Sequence, residues 1–383
     1  MAGTLDAVYV PQTKLRALDD LLFQVCDELQ LSPTKHGLAE SRYKTIGELL
    51  CQPGSPFHTL QPDIYPQGSM RLQTTVMPTS GPFDLDFVCQ LSLDPQRTSA
   101  VLVLDALFNF LKSHGTYKDM VERKNRCVRI VYKDDFYMDI LPACRDTAAC
   151  VTCIQVPDRE LADWTFSNPK GYALWFEHQS QQRRYTFDAA LMTKAQDPLP
   201  ALQSTEEKEI LQLTVQLLKR WRDLYYCDSS YPPISIVLTT LAADIYTGES
   251  SIAMALLKIL DGIVARLDEA HFHRRRLRVP NPTHPGEDFS ERWTNRDTAY
   301  AEFNQGIRRF AAEWRRICVQ SSDVQRDLRD MFGEVVGTVV EKQARHTQQL
   351  RERGVLGISS VGTVVNVSNA ISKMRPNTNF GNG

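Results

Sequence analysis

Tyr65-Pro-Gln-Gly-Ser-Met-Arg-Leu-Gln-Thr-Thr-Val76 and, after a short Pro- and Gly-containing gap, Phe83-Asp-Leu-Asp-Phe-Val-Cys-Gln-Leu91 form a turn-then-strand pattern with charge placed in an unusual way. With the period of two of a β-strand, Phe83, Leu85, Phe87, Cys89 and Leu91 share one face and leave Asp84 and Asp86 together on the other. Two like charges a few ångströms apart in an apolar strand are unfavourable unless a cation offsets them, so the pair points to a divalent metal. A third carboxylate, Asp139, sits in Phe136-Tyr-Met-Asp-Ile-Leu-Pro142, another short apolar run. If that run neighbours the first, three carboxylates converge. Asp134 and Asp135 precede the run and read as a turn instead.

Hard oxygen ligands that leave coordination positions open suit Mg²⁺, with Mn²⁺ as a substitute, bound together with substrate phosphates. Two such ions about 3.5–4 Å apart stabilise both the entering and the leaving oxygen of an in-line phosphoryl displacement. Gln67, Gly68 and Ser69 fit the same chemistry as a candidate nucleotide-binding turn. A glycine lets the backbone pass close under a triphosphate while amides and a hydroxyl donate to it. Alone, a Gly-Ser turn or an Asp-x-Asp strand is commonplace. In this order, with a third acidic strand, they specify a nucleotidyltransferase site.

Working outward, Leu15, Leu18, Leu22, Val25 and Leu29 mark an amphipathic helix over 12–30, and a second is expected from Ser32-Pro33 to about Cys51. Pro, Gly and Ser residues over 52–66 end the helical pattern. Strand-like runs follow near 67–76, 83–91, 126–132, 135–141 and 150–156, with a helix over 98–112 between them. From Lys170 the chain reads as mostly helical. Ser204 and Glu207 form a capping-box pattern ahead of the stripe Ile210, Leu213, Leu217, Trp221 and Leu224; a buried helix is expected over 235–246, a loop over 274–285, and helix again over 299–353. Beyond Gly354 the composition turns to Gly, Ser, Val and Asn, which reads as a tail that is mobile toward its end. The fold class is thus α+β. Residues 1–165 make a catalytic lobe with a small mixed sheet, 166–353 a helical nucleotide-binding lobe, and 354–383 a flexible tail.

The 383 residues hold 44 Lys+Arg against 46 Asp+Glu, a net charge of −2 that excludes a global positive field for long nucleic acid. Apolar content of 42% with 23% charged is ordinary globular chemistry, not a disordered chain. No apolar run is long enough for a membrane span, and the start, Met1-Ala2-Gly3-Thr4-Leu5-Asp6, lacks the layout of a secretory signal, so the chain reads as soluble and cytoplasmic. The 9 cysteines are expected to be reduced thiols. Cys150 and Cys153, although in C-x-x-C spacing, fall in the strand-like run and would face opposite ways, so they read as structural. The basic run His271–Arg278 reads as a solvated loop, and Tyr172, Trp175 and Phe176 as core.

Taken together, Gly68-Ser69, Arg71-Leu72, Thr75-Val76, Asp84-x-Asp86 and Asp139-Ile-Leu-Pro142 resemble the DNA polymerase β-like nucleotidyltransferase superfamily. Within it the chain is similar to the bacterial cyclic-oligonucleotide synthases, the CD-NTases of anti-phage CBASS systems. Asn168–Phe176, Leu217–Asp223, Asn281-Pro282 and Glu287–Trp293 add to the likeness, which runs over roughly residues 10–345. The resemblance implies a bilobed enzyme with its site between the sheet and helical lobes, joined by a long N-terminal spine helix. It further implies that Lys219 and Ser235 contact the donor triphosphate of ATP or GTP, and that the product is a cyclic di- or trinucleotide messenger acting on a downstream effector. For the zinc insertion of one His and three Cys in animal DNA-sensing relatives the chain has no counterpart, so activation by long DNA is not implied.

The chain closes on Asn377-Thr-Asn-Phe-Gly-Asn-Gly383, and a terminal glycine leaves its carboxylate unobstructed. In many operons of the resembled family an E1/E2-like ligase joins the synthase C-terminus to other molecules, which makes Gly383 a candidate conjugation point. Two other functions compete with cyclisation. A template-independent transferase acting on RNA or protein would share the metal site, whereas a catalytically silent nucleotide-binding scaffold would not need three carboxylates.

Overall fold

The chain enters through two helices, α1 (Gln12–Leu29) and α2 (Pro33–Cys51). Extended backbone at Gln30 and Ser32 separates them, and the Ser32 hydroxyl accepts from the Lys35 amide with Pro33 in the first turn, as the sequence pattern leads one to expect. The two helices serve different cores. Leu18, Leu22 and Val25 of α1 join the helical core, while Tyr43, Ile46 and Leu50 of α2 pack under the sheet. The N-terminal spine is therefore two helices that tie the lobes together by burying one in each.

That sheet is built from β1 (Asp63–Pro66), β2 (Phe83–Leu91), β3 (Val121–Arg123), β4 (Val128–Tyr132), β5 (Phe136–Arg145), β6 (Ile154–Asp158) and β7 (Asp163–Ser167), with the one-turn helix α3 (Gly68–Arg71) and the longer α4 (Ala100–Ser113) inserted along it. Its order is β1-β2-β5-β4-β3, and β6 pairs with both β5 and β7. Among the named strands β2 and β5 pair parallel, and the other pairings are antiparallel. Alternation sends Phe83, Leu85 and Phe87 of β2 and Phe136, Met138 and Ile140 of β5 into one core with α2 and α4. The opposite face carries Asp84 and Asp86, then Val88 in a small apolar cluster with Tyr65 and Ala143. The computed structural model describes residues 9–133, 135–146, 149–181, 196–353, 355–358, 364–366 and 372–373.

Two sequence expectations need correction here. Residues 67–76 are not a strand: Gly68 has φ +61°, the Leu72 amide bonds back to the Gly68 carbonyl, and α3 forms in place of extended chain. Nor does a strand start at 150. Cys150 and Cys153 form a disulfide across a turn, with Cα atoms 5.0 Å apart, whereas three residues of strand would set them about 10 Å apart. The Asp146 amide bonds to the Cys153 carbonyl across that turn, and β6 begins only at Ile154. This pair is oxidised rather than reduced; the other cysteines are free thiols.

The helical side comprises α5 (Pro169–Gln181), α6 (Ile210–Tyr225), α7 (Ser235–Ile245), α8 (Ile252–Phe272), α9 (Asp297–Gln320), α10 (Val324–Phe332) and α11 (Glu334–Glu352). Ser204 and Glu207 do form a capping box, but on a single 3-10 turn, and α6 starts afterwards under its own box of Glu209 and Gln212. The stretch 274–285, read as a loop, carries most of a hairpin of β8 (Pro280–Asn281) and β9 (His284–Asp288). Trp221 stacks on Phe310, and Phe303, Trp314 and Phe332 fill the centre of this lobe. Tyr172 and Phe176 are buried in it, as expected. Within the stretch read as a tail, β10 (Leu356–Ile358), β11 (Val364–Asn366) and β12 (Ser372–Lys373) pair into a small sheet, and Gly383 lies outside the described residues. Among the described residues no helix is long and apolar enough to cross a membrane.

Candidate active site

The convergence of carboxylates follows from strand register. Parallel pairing of β2 with β5 sets Asp86 directly beside Asp139, and antiparallel pairing of β4 with β5 sets Arg129 on the other side of Asp139. Adjacent strands lie about 4.8 Å apart, so the three side chains form one row on one face, with Asp84 a step along β2. Arg129 donates to both oxygens of Asp139 at 2.7 Å and to Asp84 at 3.2 Å, and its guanidinium lies over the Tyr137 ring. Asp135, by contrast, is in the β4–β5 turn as the sequence implied, and Asp134 lies outside the described residues.

One guanidinium against three carboxylates leaves the row short of positive charge. Burial first, and then the charges of Asp139 and Asp84, push the Asp86 carboxyl up to about 7. Asp84, with a side chain 56% exposed at the rim, is raised as well: surrounding protein takes water from it, while Arg129 and Arg222 pull the other way. Two of three crowded acids therefore resist ionisation in the absence of a further cation. Hard carboxylate oxygens fit Mg²⁺ or Mn²⁺. Among the described residues no three ligating side chains already enclose a point, because Arg129 stands between Asp84 and Asp139.

The turn beside this row is shaped to it. Gly68 has φ +61°, a region that disfavours side chains, and a Cβ there would come 2.7 Å from the Asp86 Oδ2. The Gln67 amide bonds to the Asp86 carbonyl at 2.9 Å, and the Ser69 hydroxyl accepts from Thr75 at 3.2 Å. Helix α6 then laces the following segment with one side chain per turn. Gln212 donates to the Leu72 carbonyl, Gln216 to that of Thr75, and Lys219 to the carbonyl and hydroxyl of Thr74. These positions, four and three residues apart, share one helix face. Lys219 is thus buried against the turn, and burial draws its ammonium down to about 7, with Arg222 adding to the fall and Asp223 and Asp86 opposing it. Ser235 is the first residue of α7, half-buried, with Ile234 as cap.

The profile of the Second Messenger Oligonucleotide or Dinucleotide Synthetase domain matches residues 17–180, which contain the whole carboxylate row. A c-di-GMP synthase of Roseivirga ehrenbergii is 30% identical over 376 residues, covering 95% of this chain and 97% of that protein. The chain belongs to the bacterial CD-NTases. Its relatives include the cyclic dinucleotide synthase CdnG of Bradyrhizobium diazoefficiens, 26% identical over 347 residues, with 84% of this chain and 82% of that one covered. The structure of that CdnG in complex with GTP superposes with a TM-score of 0.69 at 25% identity, covering 85% of this chain and 98% of the other. Apo DncV of Vibrio cholerae, at 14% identity and a TM-score of 0.52 over 86% of this chain and 91% of that one, shares the fold. Like the rest of its family the chain is a nucleotidyltransferase enzyme that makes cyclic oligonucleotides from NTPs, on a polymerase β-like fold.

Arg129, Arg222, Gln212 and Gln216 are site-lining residues that sequence patterning does not single out. The alternation of Val128, Ile130 and Tyr132 puts Arg129 on the non-core face, but only the strand pairing reveals that this face is the acidic one. Two outcomes test the geometry. Gly68→Ala, strained at φ +61° and crowding Asp86, is expected to lower turnover at least tenfold while far-UV circular dichroism stays unchanged; full turnover would mean the turn has no fixed relation to Asp86. Asp86 ionises near 3.8 when unfolded but at about 7 when folded, so stability falls as pH rises through that window. Asp86→Asn should therefore stabilise the protein in EDTA by about 2 kcal/mol at pH 8, with little difference near pH 4, and equal melting of both proteins at both pH values would contradict the raised value.

Proposed function

We propose that this chain synthesises a cyclic dinucleotide from GTP by metal-dependent nucleotidyl transfer, with c-di-GMP, the product for which the Roseivirga ehrenbergii relative is named, as its product. The observation that carries the reading is the row Asp86, Asp139 and Arg129 on adjacent strands, with Asp84 beside it and the Gly68–Ser69 turn against it. Asp84, Asp86 and Asp139 would hold Mg²⁺ or Mn²⁺, which when bound lowers the pKa of an attacking hydroxyl and neutralises the leaving pyrophosphate.

The remaining work falls to groups of this chain. Gln67, Gly68 and Ser69 are placed to receive the triphosphate, held in register by the Asp86 carbonyl and by α6 through Thr74 and Thr75. Lys219 acts on the phosphates through the turn it buries against, and Ser235 would contact them from the start of α7. A ribose hydroxyl of one nucleotide forms a bond to the α-phosphorus of the other, the bond to pyrophosphate breaks, and the linear product then turns so that a second transfer closes the ring. Membership of the CD-NTases supports a messenger role toward a downstream effector in anti-phage signalling.

Asp84→Asn combined with Asp86→Asn is expected to reduce pyrophosphate release from GTP with Mg²⁺ by more than about a thousandfold while the melting temperature in EDTA does not fall below the parent's. The parent's product should resist phosphatase and show the mass of a cyclic dinucleotide. Parent-like turnover by the double variant, or label found only in RNA or protein, would remove this reading.

A further inference from the structure

A second concavity opens next to the carboxylate row, on the helical side. It has a volume of about 220 Å³ and is lined by Tyr231, Pro232 and Pro233 of the α6–α7 connection, by Phe289, and by Arg222, Arg292 and Arg296. Whole-ligand pockets run to about 300–1,000 Å³, so this volume suits one planar ring system with the rest of its molecule outside. Two of its walls lead back to the catalytic side. Arg222 follows Lys219 by one turn of α6, and Ile234 directly precedes Ser235 at the start of α7.

The three arginines are not equivalent. Arg222 is paired with Asp223, and Arg296 lies over the Tyr231 ring at 4.9 Å. Arg292 has no ion pair or hydrogen bond among the described residues, yet the turn that carries it is fixed on both sides. Glu291 is held by Arg126 at 3.1 Å, and Arg126 also grips Asp158 of β6, so the turn is tied to the sheet lobe. Trp293 is buried, its amide bonds to the Ser290 carbonyl and its carbonyl accepts from Arg276. A free guanidinium fork on a fixed backbone, facing aromatic and proline surfaces, is a ready reader of a flat ligand edge that offers two acceptors.

We propose that this cleft takes the base of a substrate nucleotide and that Arg292 selects guanine there by donating to its O6 and N7. The inference rests on the synthase reading above and adds the residue that chooses the base. Guanine presents two acceptors on that edge, whereas adenine replaces O6 with an amino donor that a guanidinium repels. Arg296 and Tyr231 form the stacked wall beside the base, and Phe289 also lines the cleft.

The test compares kcat/KM for GTP, ATP, ITP and 7-deaza-GTP by pyrophosphate release, in the full chain and in Arg292→Met and Arg292→Lys. ITP keeps both acceptors and should match GTP within a few-fold; 7-deaza-GTP lacks N7 and should fall about tenfold in the parent. Arg292→Met should reduce the preference for GTP over ATP by about tenfold or more and abolish the 7-deaza penalty, and Arg292→Lys, a point charge without the fork, should not restore it. A GTP/ATP ratio in Arg292→Met equal to the parent's, with the 7-deaza penalty intact, would overturn the assignment. So would a parent enzyme indifferent to N7 that still rejects ATP. The 7-deaza comparison in the parent needs no variant to fold. Should the parent release no pyrophosphate from any NTP, the synthase reading fails instead, and equilibrium binding of GTP against ATP and 7-deaza-GTP still decides the base preference.

Discussion

Side-by-side placement of Asp86 and Asp139 on parallel neighbouring strands is the constraint around which this molecule is organised. Like charges at that spacing repel, and the sheet cannot relieve the repulsion by moving, because the other faces of β2 and β5 are locked into a core by Phe83, Leu85, Phe87, Phe136, Met138 and Ile140. Arg129 on the next strand answers part of the excess through its pairing with Asp139 and Asp84. Burial first, and then the remaining excess charge, raise the Asp86 carboxyl to about 7. A rigid sheet that keeps acids this close would, under the proposed reading, favour a small, hard cation and the phosphates that come with it.

The second lobe contributes by fixing what the sheet leaves loose. The segment after α3 has no strand partner, so its carbonyls at Leu72, Thr74 and Thr75 need donors, and α6 supplies Gln212, Lys219 and Gln216 from one face. An unpaired backbone carbonyl in a buried setting is unfavourable, so the helix and the turn hold each other in place. In the last turn of the same helix stands Arg222, which lines the cleft that Arg292 also lines. The Gly68–Ser69 turn and the proposed base cleft are thereby referred to one rigid element.

How far the sequence discloses this depends on whether the information is local. The helices α1, α2 and α7 and the strands β2, β4 and β5 are written in periodicity and caps, and the alternation of Phe83 through Leu91 places Asp84 and Asp86 on one face without any structure. The segment 67–76 misleads because its β-like composition is overridden by Gly68 and by side-chain donors more than a hundred residues away. Cys150 and Cys153 mislead for a related reason: Val151 and Thr152 favour strand, and the disulfide imposes a turn. Arg129 and Arg292 take their meaning from pairing and packing between distant segments, which no local window contains.

The most direct measurement of the central claim is anomalous scattering from crystals grown with Mn²⁺ and a non-hydrolysable GTP analogue. The account predicts Mn²⁺ peaks coordinated by Asp84, Asp86 and Asp139, with the analogue's phosphates over the Gly68–Ser69 turn and Arg129 displaced from its bidentate hold on Asp139. Nucleotide bound with Mn²⁺ elsewhere, while those three carboxylates stay paired to Arg129 or face solvent and the same preparation remains active in solution, would contradict it.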